Sequence, residues 1–160
     1  MEESIPTIKK SLDRLSSVAH RLNHETDALN WVIEDVGSQL QRMNLGVAVW
    51  DDTLLDAETE PSTEASLVRT RGWVVGHVKI KETWRLAVKQ VRVEKGFLQD
   101  DPAFPFSNVY DVAEPIPLLR ASRMIRVQAV RRLEPLLDRL AVTVDSYVDD
   151  ITRAKSLVGD

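Results

Sequence analysis

Apolar residues recur every three or four positions over the first 45 residues of the chain. Such heptads place one narrow apolar stripe along a helix, and a stripe of this kind is buried against another helix. Ser4 is a suitable N-cap, and Gly46 follows the last heptad as a terminator. The pattern predicts one long helix over residues 1–45. The stripe consists of Ile8, Leu12, Leu15, Ala19, Leu22, Leu29, Ile33, Val36, Leu40 and Met43.

A second heptad run fills the last part of the chain. Pro117 is favourable in a first helical turn, and Gly159 ends the pattern. Pro135 lies inside the run, where a proline removes a backbone hydrogen bond and bends a helix. We therefore expect a long helix over residues 118–158 that is kinked at Pro135. Its stripe consists of Leu133, Leu137, Leu140, Val144, Tyr147, Ile151, Ala154 and Val158.

Between the two heptad runs the period of the pattern changes from helical to alternating. Residues 73–80 and 83–93 are rich in Val, Ile and Trp and alternate with charged residues, as half-buried strands do. Lys81 and Glu82 would form the tight turn between them. With a short strand at 46–50, residues 46–95 are predicted to be a three-stranded antiparallel β-meander, in which the acidic residues 51–65 form an exposed loop.

Residues 96–117 are rich in proline and aromatic residues. Four prolines in 22 residues argue against a regular element, and four aromatic side chains argue against a flexible spacer. We expect an ordered loop here. Two interpretations stay open: the loop is a lid over the apolar face of the sheet, or it is a binding arm.

These elements predict one domain over residues 1–160, of the α+β class and mainly α. Two long antiparallel helices would flank the three-stranded meander. Because a pair of helices has little interior over a length of about 60 Å, the stripes would need further helices to cover them. A homodimer that forms a four-helix bundle would supply them.

Composition narrows the class of protein. The chain contains no cysteine, which excludes disulfides and thiolate metal sites. Its N-terminal residues lack the apolar core of a signal peptide, and no apolar run has the length of a membrane span, so we expect a cytoplasmic protein without membrane contact. The net charge of −4 is uneven: residues 1–68 carry −8 and residues 69–140 carry +6. Acidic and basic segments could lie against each other, or the basic segment could bind an anionic partner.

The sequence gives little support for catalysis. His20 and His24 are four residues apart on the predicted first helix, but both lie off the stripe, and Arg21 stands where a zinc-protease motif needs glutamate. His77 lies on a predicted strand without a nucleophile pattern around it. No glycine-rich phosphate loop is present. We therefore predict no enzyme, no catalytic or metal-binding residue and no cofactor.

The favoured function is that of a non-enzymatic adaptor or chaperone-like protein that forms a homodimer through its long helices and binds another protein. The heptad register places Trp31 opposite the stripe, where a second contact would explain it. The alternative is a nucleic-acid-binding module that uses a basic sheet face and arginines near a helix N-terminus. The candidate partner-binding residues are Trp31, Phe104, Phe106 and Tyr110. The candidate residues of the alternative are Lys79, Arg85, Lys89, Arg92, Arg120, Arg123 and Arg131.

Overall fold

A computed structural model describes residues 4–61 and 66–159 of the chain. The first element is helix α1, Ser4–Met43, whose bounds agree with the heptads. It ends because Asn44 and Gly46 both adopt positive φ angles, which a helix cannot continue. At 1.5 Å per residue, α1 is about 60 Å long.

The predicted three-stranded meander is wrong. The described residues form a six-stranded antiparallel sheet in which strands β3 (Val68–Ile80) and β4 (Thr83–Phe97) are central. These two strands pair from Val68↔Lys95 to Ile80↔Thr83 and are joined by the predicted turn at Lys81–Glu82. The first two strands pair with β3, and the last two pair with β4. The strands are β1 Val49–Trp50, β2 Leu55–Glu60, β3 Val68–Ile80, β4 Thr83–Phe97, β5 Pro105–Asp111 and β6 Ile116–Pro117.

Two segments predicted to be loops are strands. Part of the acidic segment 51–65 forms β2, while residues 62–65 lie outside the described part of the chain. In residues 96–117, a short 3₁₀ turn at Leu98–Asp100 leads into β5, and β6 ends the segment. The segment is not a loop over the sheet, since β5 extends the sheet beside β4, and its role as a binding arm stays a prediction.

The predicted long helix over 118–158 is also wrong. After a 3₁₀ turn at Leu118–Arg120, the chain forms a short helix α2, Arg123–Val130, and then a separate helix α3, Leu133–Val158. The break falls at residues 131–132, ahead of Pro135. Pro135 lies in the first turn of α3, where its missing N–H would have no helical partner in any case.

The helices do not flank the sheet as an antiparallel pair. Helix α1 packs against β4 and α2, whereas α3 packs against β1 and β3. One apolar core joins these layers. Its largest fully buried aliphatic side chains come from the segment after β6, from α3 and from the central strands, and α1 contributes Ile33 and Leu40. They are Leu118, Leu136, Leu140, Val75, Val88 and Val91.

The core therefore uses only part of each long helix. Every core residue of α1 lies in its C-terminal half, and the buried residues of α3 lie between Leu133 and Leu140. The heptad stripes continue beyond these points on both helices. No helix in residues 4–61 and 66–159 has the length and apolar composition needed to cross a membrane.

Candidate protein-interaction site

The N-terminal half of α1 exposes its apolar stripe. The large apolar side chains from Ile5 to Leu22 at the heptad positions are exposed, and Leu15 is 63% exposed, whereas the small Ala19 is half-buried. Further along the same stripe, Ile33 is buried in the core. The stripe is thus continuous in sequence, but the fold of one chain covers only its second half. We call Ile5, Ile8, Leu12, Leu15 and Leu22 the distal stripe.

Trp31 lies on the outer side of α1. It is 65% exposed, although its neighbour Ile33 is buried. A tryptophan this exposed presents a large apolar area to solvent, and such residues are enriched at the energetic centres of protein interfaces. The structure therefore places Trp31 where another protein could contact it.

The three aromatic candidates in residues 96–117 lie on or beside the edge strand β5. Phe104 precedes the strand and is exposed, and Tyr110 near its end is also exposed. Phe106 is half-buried because its ring lies against the backbone of Gly96, which has no Cβ to block it. These residues share one edge of the sheet, whereas Trp31 belongs to α1. An open depression of about 570 Å³ crosses the end of the sheet over β3, β4 and β5, lined in part by Val68, Phe97 and Pro105.

A second depression lies where the end of α1 meets α3. It measures about 490 Å³, and its lining is almost entirely apolar. Leu40 and Met43 lie on one side, and Leu137 and Val144 lie on the other. The exposed end of the α3 stripe begins here and continues through Tyr147 and Ile151.

The basic candidates are largely engaged inside the chain. Lys79 binds Glu82 at 3.1 Å, and Arg92 binds Glu60 of β2 at 3.1 Å. The acidic segment that contains β2 therefore lies against basic strands, which is one of the two arrangements that the charge distribution left open.

The other basic candidates fall into two groups. Lys89 binds Asp111 at 3.2 Å and lies over the Trp50 ring at 4.3 Å. The Arg123 side chain donates to the Asn23 side chain of α1 at 3.5 Å. The rest are exposed and come from three different elements, namely β4, the 3₁₀ turn after β6 and the segment between α2 and α3. They are Arg85, Arg120 and Arg131.

The sequence did not indicate the shortest ion pair among the described residues, which joins the start of α3 to the sheet. Asp51 is 3% exposed, and its carboxylate accepts two hydrogen bonds from Arg132, at 2.8 and 3.1 Å. The hydrogen bonds from Arg132 to Asp51 raise the pKa of the guanidinium above its usual range. Because the pKa is raised, charged Arg132 contributes stability that is fully present at neutral pH and is lost as the pH rises through the raised pKa.

His77 is buried and serves packing. Its Nδ1–H donates to the carbonyl oxygen of Val47 at 2.9 Å, and its ring stacks on Trp84 with centroids 5.3 Å apart. Among the described residues, no group of three His, Asp or Glu side chains is placed to hold a metal ion. What the arrangement offers is exposed apolar surface on rigid elements, which is the chemistry of protein association.

Comparison with known proteins gives no match to a family model, to a curated protein or to a solved structure. Any assignment of function consequently depends on the physical features of the chain itself.

Proposed function

We propose that this chain is a non-enzymatic interaction protein that associates with a second copy of itself through α1 and binds another protein in that state. The observation that carries the proposal is the distal stripe, five large apolar side chains on a helix that its own fold leaves uncovered. Burying one such side chain contributes about 1.5–3 kcal/mol relative to leaving it exposed. Five of them give a strong drive to associate.

The stability of α1 also supports association through its distal stripe. A helical segment in water draws most of its stability from packing of its apolar face, and short segments without that packing are marginal. Residues 5–22 lie outside the core, yet their heptads keep the register of the buried part of α1. A partner helix that packs on the distal stripe would supply the missing stabilisation.

A second copy of the chain fits the stripe well. A two-fold interface needs a surface that is complementary to itself, and two identical heptad stripes meet that condition. The outer side of the helix, including Trp31, would remain accessible in such a dimer because it lies opposite the stripe. That side is then free to bind the second protein.

The nucleic-acid alternative has less support. Lys79, Lys89 and Arg92 each have a carboxylate partner within 3.2 Å, so part of the proposed basic face is neutralised inside the chain. The exposed arginines come from separate elements. Binding to nucleic acid would have to weaken steeply with salt, because each phosphate contact releases counterions.

Sedimentation equilibrium tests the self-association. The variant Leu12→Asp/Leu15→Asp places two charges on the distal stripe and is expected to weaken association at least tenfold. The matched control, Ser17→Asp/His24→Asp, adds two aspartates to the outer side of the same helix, where both residues are exposed. The control is expected to associate like the natural chain. Equal masses for the two variants would contradict the proposal.

The second half of the proposal concerns the partner protein. Trp31→Ala is expected to abolish partner capture from a lysate while leaving the sedimentation mass and the helical circular dichroism unchanged. If capture persists in this variant, Trp31 is not the contact. If helical dichroism falls instead, the indole belongs to the fold.

A further inference from the structure

Strand β5 has one free side. It is hydrogen-bonded to β4 from Phe97↔Pro105 to Val91↔Asp111, and in the described part of the chain it pairs with no other strand. The register runs without a bulge, and the strand contains no lysine. Natural edge strands often carry bulges, lysine or other charged residues, or proline, which prevent pairing with other chains. Its proline and its charged residue, Pro105 and Asp111, stand only at the two ends of β5, so residues 106–110 lack the usual protection against strand addition.

The hydrogen bonds of the hairpin identify which backbone groups point outwards. Leu98 N–H donates to the carbonyl of Phe104 at 2.8 Å, and Val112 N–H donates to the carbonyl of Gln90 at 2.9 Å. In an antiparallel ladder, hydrogen-bonded residues alternate with non-bonded ones. The even-numbered residues of β5 thus bond to β4, and Ser107 and Val109 direct their N–H and C=O groups to the free edge.

The sequence of β5 is complementary to itself about Asn108. In an antiparallel pair of two β5 strands with Asn108 on the two-fold axis, Phe106 of each copy lies opposite Tyr110 of the other. Ser107 then lies opposite Val109, and these two residues are the ones with free backbone groups. Aromatic residues directly opposite each other are among the favourable cross-strand pairs.

Other registers satisfy fewer of these conditions. A shift of one residue sets a residue with free backbone groups against one whose groups already bond to β4. A shift of two residues, with Val109 on the axis, keeps the hydrogen bonds but places Phe106 opposite Val112. The opposite shift, with Ser107 on the axis, pairs Phe104 with Tyr110 but sets Pro105, which has no N–H, against Val109 and loses hydrogen bonds. The register about Asn108 satisfies both the hydrogen bonds and the aromatic pairs.

We propose that β5 pairs antiparallel with β5 of a second copy of this chain, with Asn108 on the two-fold axis, so that the two sheets become one. This contact goes beyond the association through α1, because it involves no residue of the distal stripe. The exposure of β5 supports it: Val109 is 63% exposed, and six of the seven residues of the strand are exposed.

Single-cysteine cross-linking tests the register, since the natural chain contains no cysteine. Two copies of Asn108→Cys would have Cα atoms about 4.5 Å apart, the spacing of a non-hydrogen-bonded pair. That distance lies within the range for a disulfide. Ser107→Cys and Val109→Cys are the matched controls, because the two copies of either residue lie farther apart, on opposite sides of the axis.

After mild oxidation, a non-reducing gel is expected to show a disulfide-linked dimer for Asn108→Cys, at least five times stronger than for either control. Mixing Phe106→Cys with Tyr110→Cys is expected to give a linked heterodimer, because these residues lie opposite each other across the axis. Equal cross-linking at residues 107, 108 and 109 would indicate random collision and overturn the proposal. A maximum at Ser107 or Val109 would overturn the register, and monomers throughout would overturn the pairing of two β5 strands.

The same gel in the Leu12→Asp/Leu15→Asp background separates this proposal from the proposed function. The cross-link at residue 108 is expected to persist there, because β5 lies outside the distal stripe. If the cross-link disappears with the distal stripe, the two contacts are not independent and β5 forms no interface of its own.

Discussion

At the scale of single residues, Gly76 shows how closely the sheet is packed. The Trp50 ring of β1 lies directly on the Gly76 backbone, and Lys89 Nζ lies 4.3 Å from the centre of the same ring. A Cβ at residue 76 would also meet the carbonyl oxygen of Val49 at 2.7 Å. Because Gly76 has no side chain, β1 and the Trp50 ring can both lie directly against its backbone.

Replacing Gly76 with alanine is expected to lower the free energy of unfolding by about 1–3 kcal/mol, because the new methyl group overpacks the contact with β1. Gly37→Ala is the matched control, since its Cβ would meet nothing within 4 Å. That change is expected to raise stability by about 0.5–1 kcal/mol through helix propensity. Urea unfolding measures both. Stability unchanged in Gly76→Ala would mean that β1 moves without cost.

At the scale of elements, the turn between β3 and β4 contains backbone strain that can be removed. Lys81 and Glu82 both have positive φ, at 47° and 67°, and these angles are typical of a two-residue hairpin turn. Such turns favour Asn-Gly, whereas Lys and Glu adopt these angles at some cost. The natural pair gains in return only an exposed ion pair between Lys79 and Glu82.

Lys81→Asn/Glu82→Gly is expected to stabilise the fold by about 1 kcal/mol, because the strain outweighs an exposed ion pair worth less than that. Thermal unfolding measures the change. Glu82→Gln, which removes the ion pair and keeps the strained backbone, is the control and should lower the melting temperature slightly or leave it unchanged. A double variant less stable than the natural chain would show that the ion pair is worth more than the strain.

The elements differ in how well the sequence predicts them. Heptads and the alternation of strand residues are local signals, so the bounds of α1 and the β3–β4 turn could be found from the sequence. The acidic β2 could not, because its pairing depends on Arg71 and Arg92 of distant strands, which bind Glu60. Strand β5 could not be predicted because Pro105 argues against a regular strand. In the structure Pro105 occupies the first position of β5, where proline is tolerated.

The break between α2 and α3 has no clear local signal either. The chain turns at Arg131–Arg132, and Arg132 then reaches the buried carboxylate of Asp51, which is 81 residues away in sequence. Pro135 predicts a kink in this region, but it lies three residues beyond the break. For the candidate site, the heptad register correctly indicated an outer position for Trp31, whereas only the hydrogen bonds of the hairpin identify the free edge of β5.

At the scale of the whole molecule, the two proposed contacts have a joint consequence. Each is a two-fold contact, one through the distal stripe and one through β5. A chain with two different two-fold contacts forms a closed tetramer if the axes cross at right angles, a larger closed ring at certain smaller crossing angles, and an open chain of copies otherwise. The natural protein is therefore expected to exceed the mass of a dimer as its concentration rises.

Variants that remove one contact each separate the two cases. Leu12→Asp/Leu15→Asp is expected to leave dimers joined through β5. Val109→Pro removes an N–H that points to the free edge, spares the bonds to β4, and is expected to leave dimers joined through α1. Combining all three changes should give a monomer of about 18.1 kDa by sedimentation equilibrium. A monomer from either variant alone would mean that a single interface accounts for the whole assembly.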